Sequence, residues 1–423
     1  MTHRRVPIVP ERWFPAYVIW ELTLRCNHAC HHCGSRAGVA RPDELDAEEA
    51  VRVVHELADL GAREVVLLGG EAYLHPGFLQ VISALRDRGV ARQLTTGGRD
   101  VTPELARAMA AAGLQSASVS VDGLEATHDR IRNAAGSHRA ALAALGALSD
   151  AGIRTGSTVN LNRANRGELE PLYDVLKATG IAAWQVQLTA PLGRAADRTD
   201  LVLQPYDLLD LVPRIAALKA RAHDDGILIM PGNNLGYFGP EEALLRSYER
   251  GGRDHFAGCQ AGRLVLGIES QGDLKGCLSL PSASYVGGNV RRRPVAEIWR
   301  DAEALAFTRR RTRADLWGFC QSCDFAEPCL AGCTFTAHAL LGRAGNNPYC
   351  HYRARTLGKR GRRERLVPIT AASGLPFDSG RFELIEEPID APEAPIAEAD
   401  ALLRITQKPR KGPAQVASTD RDG

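Results

Sequence analysis

The chain has 423 residues, 44% of them hydrophobic, and 52 basic residues against 50 acidic ones give a net charge of +2. That length suits two domains around a sizeable core, and the near balance of charge gives no general pull toward nucleic acid. No apolar run approaches the ~18 residues of a membrane span, and Arg4 and Arg5 lead into Pro7, Pro10 and Glu11 instead of an export signal, so a cytoplasmic protein without a membrane partner is expected.

After an N-terminal extension over residues 1–15, short apolar runs alternate with longer amphipathic ones from 16 to about 235. Strands are predicted over 18–24, 64–68, 93–96, 116–121, 154–160 and 183–188. Helices are predicted over 47–60, 77–88, 103–112, 138–151, 168–179 and 206–223. Gly61, Gly89, Gly113, Gly152 and Gly180 fall where helices should stop. This alternation implies an α/β fold with a parallel sheet, open or curved into a partial barrel. Catalytic groups in such sheets gather at the C-terminal ends of strands, and Cys26 follows the first strand.

Beyond about 255 the periodicity weakens, and cysteines, glycines and short strands such as 264–269 take over. A small second domain over 255–355, folded around metal, is expected. The basic residues Arg353, Arg355, Lys359, Arg360, Arg362, Arg363 and Arg365 read as a solvated helix end. Residues 366–423, rich in Pro, Ala and acids, read as a loosely packed or disordered extension.

Ten cysteines in a reducing compartment call for metal instead of disulfides. Three stand at 26, 30 and 33, and seven between 259 and 350. Cys26, Cys30 and Cys33 are one thiolate short of a closed zinc site, which would need His28, His31 or His32, and one short of filling a [4Fe–4S] cube. In the second case one iron keeps an open position for a small molecule.

The C-x3-C-x2-C loop after a first strand resembles that of the radical S-adenosylmethionine superfamily, which implies a partial (β/α)6 TIM-like barrel and a cluster that binds S-adenosylmethionine. Gly69-Gly70-Glu71, at the end of the second strand, resembles the family's Gly-Gly-Glu, where glycines admit a ligand close to the backbone and the carboxylate suits the cofactor's ammonium. The resemblance further implies that Ser120, and Arg132 or Asn160, contact the cofactor, and that Asp122 faces the substrate.

The string Cys259, Gly272, Cys277, then Cys320-x2-Cys323-x5-Cys329-x3-Cys333, then Cys350 resembles the seven-cysteine SPASM extension. The Gly288-Asn289-Val290 and Glu297-Ile298-Trp299 segments between its halves fit that resemblance. It implies two auxiliary [4Fe–4S] clusters, one on Cys320, Cys323, Cys329 and Cys350, the other on Cys259, Cys277 and Cys333 with its fourth ligand unidentified.

The activity implied is cleavage of S-adenosylmethionine to a 5′-deoxyadenosyl radical that takes hydrogen from a substrate, fed by an electron donor such as flavodoxin or ferredoxin. Family members of this type act mainly on peptides, so an oxidative crosslink on a ribosomally made peptide is the first expectation. A dehydrogenase or epimerase of a small metabolite is the second, and an iron–sulfur electron carrier the third. Sulfatase-activating members carry an acid where this chain has Leu278, which argues against that activity. Only 25 residues precede Cys26, too few for a fused leader-binding domain. A leader is therefore expected to bind a separate protein, or this protein's own surface at the basic residues 291–293 and 309–313.

Overall fold

A computed structural model of the chain describes residues 13–392. The first strand, β1 (Tyr17–Thr23), shows how the fold sorts its residues. Val18, Trp20 and Leu22 point one way into a fully buried layer, and Tyr17, Ile19 and Glu21 point the other way into a cavity. Five further parallel strands follow in order, each joined to its neighbour through an outer helical segment: β2 (Glu64–Gly69), β3 (Ala91–Thr96), β4 (Ser116–Ser120), β5 (Arg154–Leu161) and β6 (Ala183–Leu188). The helices are α1 (Ala47–Asp59), α2 (Phe78–Asp87), α3 (Pro103–Ala112), α4 (Glu125–Arg132), α5 (Ser137–Asp150), α6 (Leu169–Ala178) and α7 (Leu208–Asp224).

Local chemistry sets these boundaries. Asp46 and Glu49 form a reciprocal capping box at the start of α1. Thr102 caps α3, Pro103 opens it, and Gly113 ends it in a left-handed conformation. One helix, α4, is absent from the sequence-based expectation, because its mostly charged sequence carries little apolar periodicity.

The sheet also extends past the six expected units at both ends. A seventh strand, β7 (Leu228–Pro231), pairs in parallel with β6, while β8 (Val265–Ile268) pairs in parallel with the free side of β1. From β8 the sheet runs on through β9 (Asp273–Lys275) and β10 (Val286–Asn289), both antiparallel. The result is one ten-stranded sheet in the order β10-β9-β8-β1-β2-β3-β4-β5-β6-β7. Its two ends are not paired, yet side chains from β1 through β6 line a single cavity, so the sheet curves around it as an open barrel. The small cysteine-rich C-terminal domain that was expected thus joins the barrel sheet through β8, β9 and β10, while Cys320, Cys323, Cys329, Cys333 and Cys350 lie in short helices and turns beyond it.

Two expectations for the C-terminal region need correction. The basic stretch is split between the helix His351–Gly358 and β11 (Arg362–Thr370), and several of its charges are paired. Arg353 is buried and grips Glu364 through two nitrogens, at 2.6 and 2.5 Å, while Arg363 and Arg365 meet Glu387. Residues 366–392 are not a loose tail either, for β12 (Arg381–Pro388) pairs antiparallel with β11. The rest of the expected extension, 393–423, lies outside the described residues, as do 1–12.

Candidate active site

The cavity holds about 390 Å³ at the C-terminal rim of the barrel strands. Cys26, Cys30 and Cys33 line one side of it, together with His28, His32, Gly70, Glu71, Gly97, Ser120, Arg132 and Asn160. The candidate residues read from the ends of four strands, β1, β2, β4 and β5, therefore meet in one place, together with Arg132 of α4.

Gly69 and Gly70 are needed for a reason the sequence did not reveal. A Cβ on Gly69 would lie 2.2 Å from the Thr23 carbonyl oxygen, and one on Gly70 would lie 2.1 Å from that of Arg25 and 2.7 Å from Cys26 Cβ. The glycines let the end of β2 press against the cysteine loop itself. Glu71 then reaches across to the end of β3, where it accepts hydrogen bonds from Thr96 Oγ1 at 2.5 Å and Gly97 N at 2.7 Å. Burial pushes Glu71 up to about 7 despite these donors.

Asp122 does not face the cavity. It is fully buried, pairs with Arg132 Nη2 at 2.6 Å, lies 3.3 Å from His32 Nε2 and accepts the Asn160 backbone N–H at 2.9 Å. Burial alone would raise its carboxyl, but the Arg132 guanidinium and the neighbouring histidines outweigh it and hold the group below the usual range. Its work is to orient Arg132, whose Nη1 lies 3.8 Å from Cys30 Sγ and whose Nε has no partner among the described residues.

The opposite wall carries residues that no motif announces. Gln185 and Gln187 project from β6, and Gln187 Nε2 donates to Asn160 Oδ1 at 2.8 Å. Leu192, Leu278 and Phe377 form a small apolar cluster with Ile19, Leu68 and Phe335. Phe377 belongs to the tip between β11 and β12, which folds back over the cavity. There its N–H donates to Gly34 O at 3.1 Å, while Gly193 N donates to Asp378 O at 2.7 Å. Arg36, three residues after Cys33, holds both Asp378 at 3.0 Å and Asp197 at 2.5 Å.

The later cysteines fall into two groups. Cys320, Cys323, Cys329 and Cys350 open on one pocket walled by Phe238, Phe319, Phe325 and Tyr352. Burial raises the proton affinity of Cys277 and Cys333, and Cys259 lies close enough to both to add to it. Of the basic residues near 291 and 309, Arg291 pairs with Glu49, Arg293 with Glu297 and Asp301, and Arg310 with Glu303, whereas Arg309, Arg311 and Arg313 bond only carbonyl or hydroxyl oxygens among the described residues.

Two families match the chain: the Radical SAM superfamily over residues 20–176, and SPASM, an iron–sulfur cluster-binding domain, over 259–324. The AdoMet-dependent heme synthase of Methanosarcina barkeri is 30% identical over 361 residues, which cover 80% of this chain and 97% of that protein. This chain is a radical SAM enzyme. The radical SAM enzyme is also similar to mycofactocin maturase MftC of Mycobacterium ulcerans, at 28% identity over 75% of this chain and 83% of that one. In fold it resembles Streptococcus suis SuiB bound to S-adenosylmethionine, with a TM-score of 0.61 and 15% identity over 76% of this chain and 73% of that one.

The residues of this radical SAM enzyme fit the [4Fe–4S] cluster that its family binds. Among the described residues no three Cys, His, Asp or Glu side chains converge to hold a single ion. Cys26, Cys30 and Cys33 instead stand around a cavity, as ligands to separate irons of a cube do. Burial pushes the Cys26 thiol up to about 12, which a cationic iron site would reverse. Backbone N–H groups already face the sulfurs: His28 N lies 3.4 Å from Cys26 Sγ, and Ala37 N 3.4 Å from Cys33 Sγ. Such donors stabilise ligating thiolate. No helix of the described residues is long and apolar enough to cross a membrane.

Proposed function

We propose that this enzyme modifies a peptide, forming an oxidative crosslink or a related new bond on it. The observation that carries the reading is the lining of the cavity. Away from the cysteine loop most of its polar groups are neutral amides and hydroxyls, Asn160, Gln185, Gln187, Thr189, Asn234 and Ser279, with the Glu21 carboxyl as the acid among them. Amide side chains both donate and accept, which matches the peptide bond. Its arginines are already engaged, Arg132 with Asp122 and Arg194 with the carbonyls of Cys30 and Ala37. At about 390 Å³ the space is small for a site shared by cofactor and substrate, so only the reacting side chain of a larger substrate would enter.

When bound at Cys26, Cys30 and Cys33, the cluster and S-adenosylmethionine supply a carbon radical able to take hydrogen from the substrate. In this reading Glu71, Ser120, Arg132 and Asn160 hold the cofactor. Phe377 and the apolar cluster around it exclude water from the radical. Auxiliary clusters on Cys320, Cys323, Cys329 and Cys350 and on Cys259, Cys277 and Cys333 would carry electrons, with a flavodoxin or ferredoxin as donor. A leader would dock on a separate protein, or on this enzyme's own surface where Arg309, Arg311 and Arg313 bond only neutral oxygens among the described residues.

A second reading, a tetrapyrrole substrate, draws on the heme synthase of M. barkeri. A polycarboxylate of that kind would need free cationic donors along the wall, and amides suit it less. The test is anaerobic reconstitution followed by incubation with S-adenosylmethionine, reductant and any short peptide found encoded beside the gene, with coproporphyrin-type substrates in parallel. We expect 5′-deoxyadenosine together with a peptide lighter by two hydrogens. Turnover of the tetrapyrrole alone would overturn the peptide reading.

A further inference from the structure

Making a new bond by oxidation removes a hydrogen atom from one carbon, but it also removes a proton from the partner atom. Some group in the cavity must receive that proton. Cys26, Cys30 and Cys33 are reserved for iron, Arg132 and Arg194 are permanent cations, and both oxygens of Glu71 already hold Thr96 and Gly97. His32 is turned to Asp122. Leu278, on the apolar wall, offers no acid.

Glu21 remains. It projects from β1 one inward position beyond Ile19, which packs against the Leu278 cluster, and it is fully buried. Its Oε1 lies 3.5 Å from Arg41 Nη1 and accepts the Ser270 N–H at 3.4 Å. Its Oε2 has no partner among the described residues. The cations nearby favour another acid: Arg41 lies 3.0 Å and Lys275 Nζ 2.6 Å from Glu269. Lys275 is further covered by the Phe377 ring, 4.0 Å away. Adjacent carboxyls are thus driven apart, Glu269 held below the usual range and Glu21 pushed by burial up to about 7. Neighbouring acids with separated proton affinities are how proteins divide acid and base work.

We propose that Glu21 is the general base of the reaction, taking the proton from a substrate N–H, O–H or S–H as that atom bonds to the carbon stripped of hydrogen. The X–H bond breaks, the C–X bond forms, and the proton moves to the Glu21 carboxylate. The electron left over passes to a one-electron acceptor of the iron–sulfur class, for which Cys259, Cys277 and Cys333 lie beside the same wall. The assignment rests on the crosslinking reading above.

Two measurements test it. In the reconstituted protein, the infrared difference between wild type and Glu21→Gln should show a carboxyl band that titrates near neutral pH. A group ionised down to pH ~4, the ordinary carboxylate range, would overturn the assignment without any substrate. With a deuterated peptide that wild type crosslinks, Glu21→Gln should lower product formation by about 10²-fold while deuterium still reaches 5′-deoxyadenosine. Glu21→Asp should recover part of the product with a shifted pH profile, and it carries the test if the glutamine variant does not fold. Undiminished product, or loss of deuterium transfer along with product, would overturn the proposal. Failure of wild type to crosslink any peptide would instead sink the crosslinking reading, and the infrared titration would still report on Glu21.

Discussion

Gly70 faces the backbone of Arg25 so closely that no side chain fits between them. A methyl group there would stand 2.1 Å from a carbonyl oxygen, and neither atom belongs to a flexible side chain. The strain must move the cysteine loop or the end of β2. Gly70→Ala is expected to cost about 1–3 kcal/mol by overpacking, read in urea unfolding, and to lower the iron retained at Cys26, Cys30 and Cys33. Gly146→Ala is the contrast: Gly146 lies inside α5 with nothing within 4 Å of an added Cβ. That change should stabilise the protein by roughly 0.5–1 kcal/mol through helix propensity. If both variants behave alike, close approach is not what the Gly-Gly pair serves. The pair was legible as a motif, but its neighbour was not, because the contact joins strand ends more than forty residues apart.

At the scale of elements, the hairpin tip between β11 and β12 has two independent attachments. The strands are held by their own ladder and by the buried Arg353–Glu364 pair, whereas the tip is held over the cavity by Arg36 together with the Phe377–Gly34 and Gly193–Asp378 backbone bonds. Removing Arg36 should therefore loosen the tip and leave the hairpin in place. We expect Arg36→Ala to speed proteolytic cleavage within 371–380 severalfold and to hasten loss of iron to a chelator, with the thermal midpoint lowered by only a few degrees. Phe377→Ala should hasten iron loss without the cleavage. An unchanged chelation rate in both would mean that the tip does not shield the site. None of this was readable beforehand. The strands of the hairpin pair through Arg362–Glu386 and Arg363–Glu387 contacts, and such charge-rich segments lack the apolar alternation that signals a strand. By contrast the six core strands and most helices between them were legible, because each βα unit repeats an apolar run, an amphipathic run and a glycine stop. Gln185, Gln187 and Glu21 stayed hidden for another reason: an inward polar residue gains meaning only when neighbouring strands are set side by side.

For the whole molecule, the pairing of β8 with β1 has a physical consequence. The strand that leads into Cys26 is bonded on one side to β2, which carries the Gly-Gly-Glu segment, and on the other to β8, which leads toward Cys277. The loops of Cys26 and Cys277 thus hang from one sheet, so loss of metal from one should be felt by the other through stability, not through ligand exchange. The three cluster stations proposed above predict about twelve irons per chain, four to each cube. Replacing Cys26, Cys30 and Cys33 together with alanine should leave about eight and abolish release of 5′-deoxyadenosine. Replacing Cys320, Cys323, Cys329 and Cys350 should also leave about eight, but it should retain cleavage of S-adenosylmethionine. Because those four thiols line a pocket separate from the cavity, their loss should act on product formation. Iron analysis with electron paramagnetic resonance of the reduced protein distinguishes these cases. A wild type with about four irons would reduce the later cysteines to structural roles, and ligand exchange between stations would show as a variant that keeps all twelve.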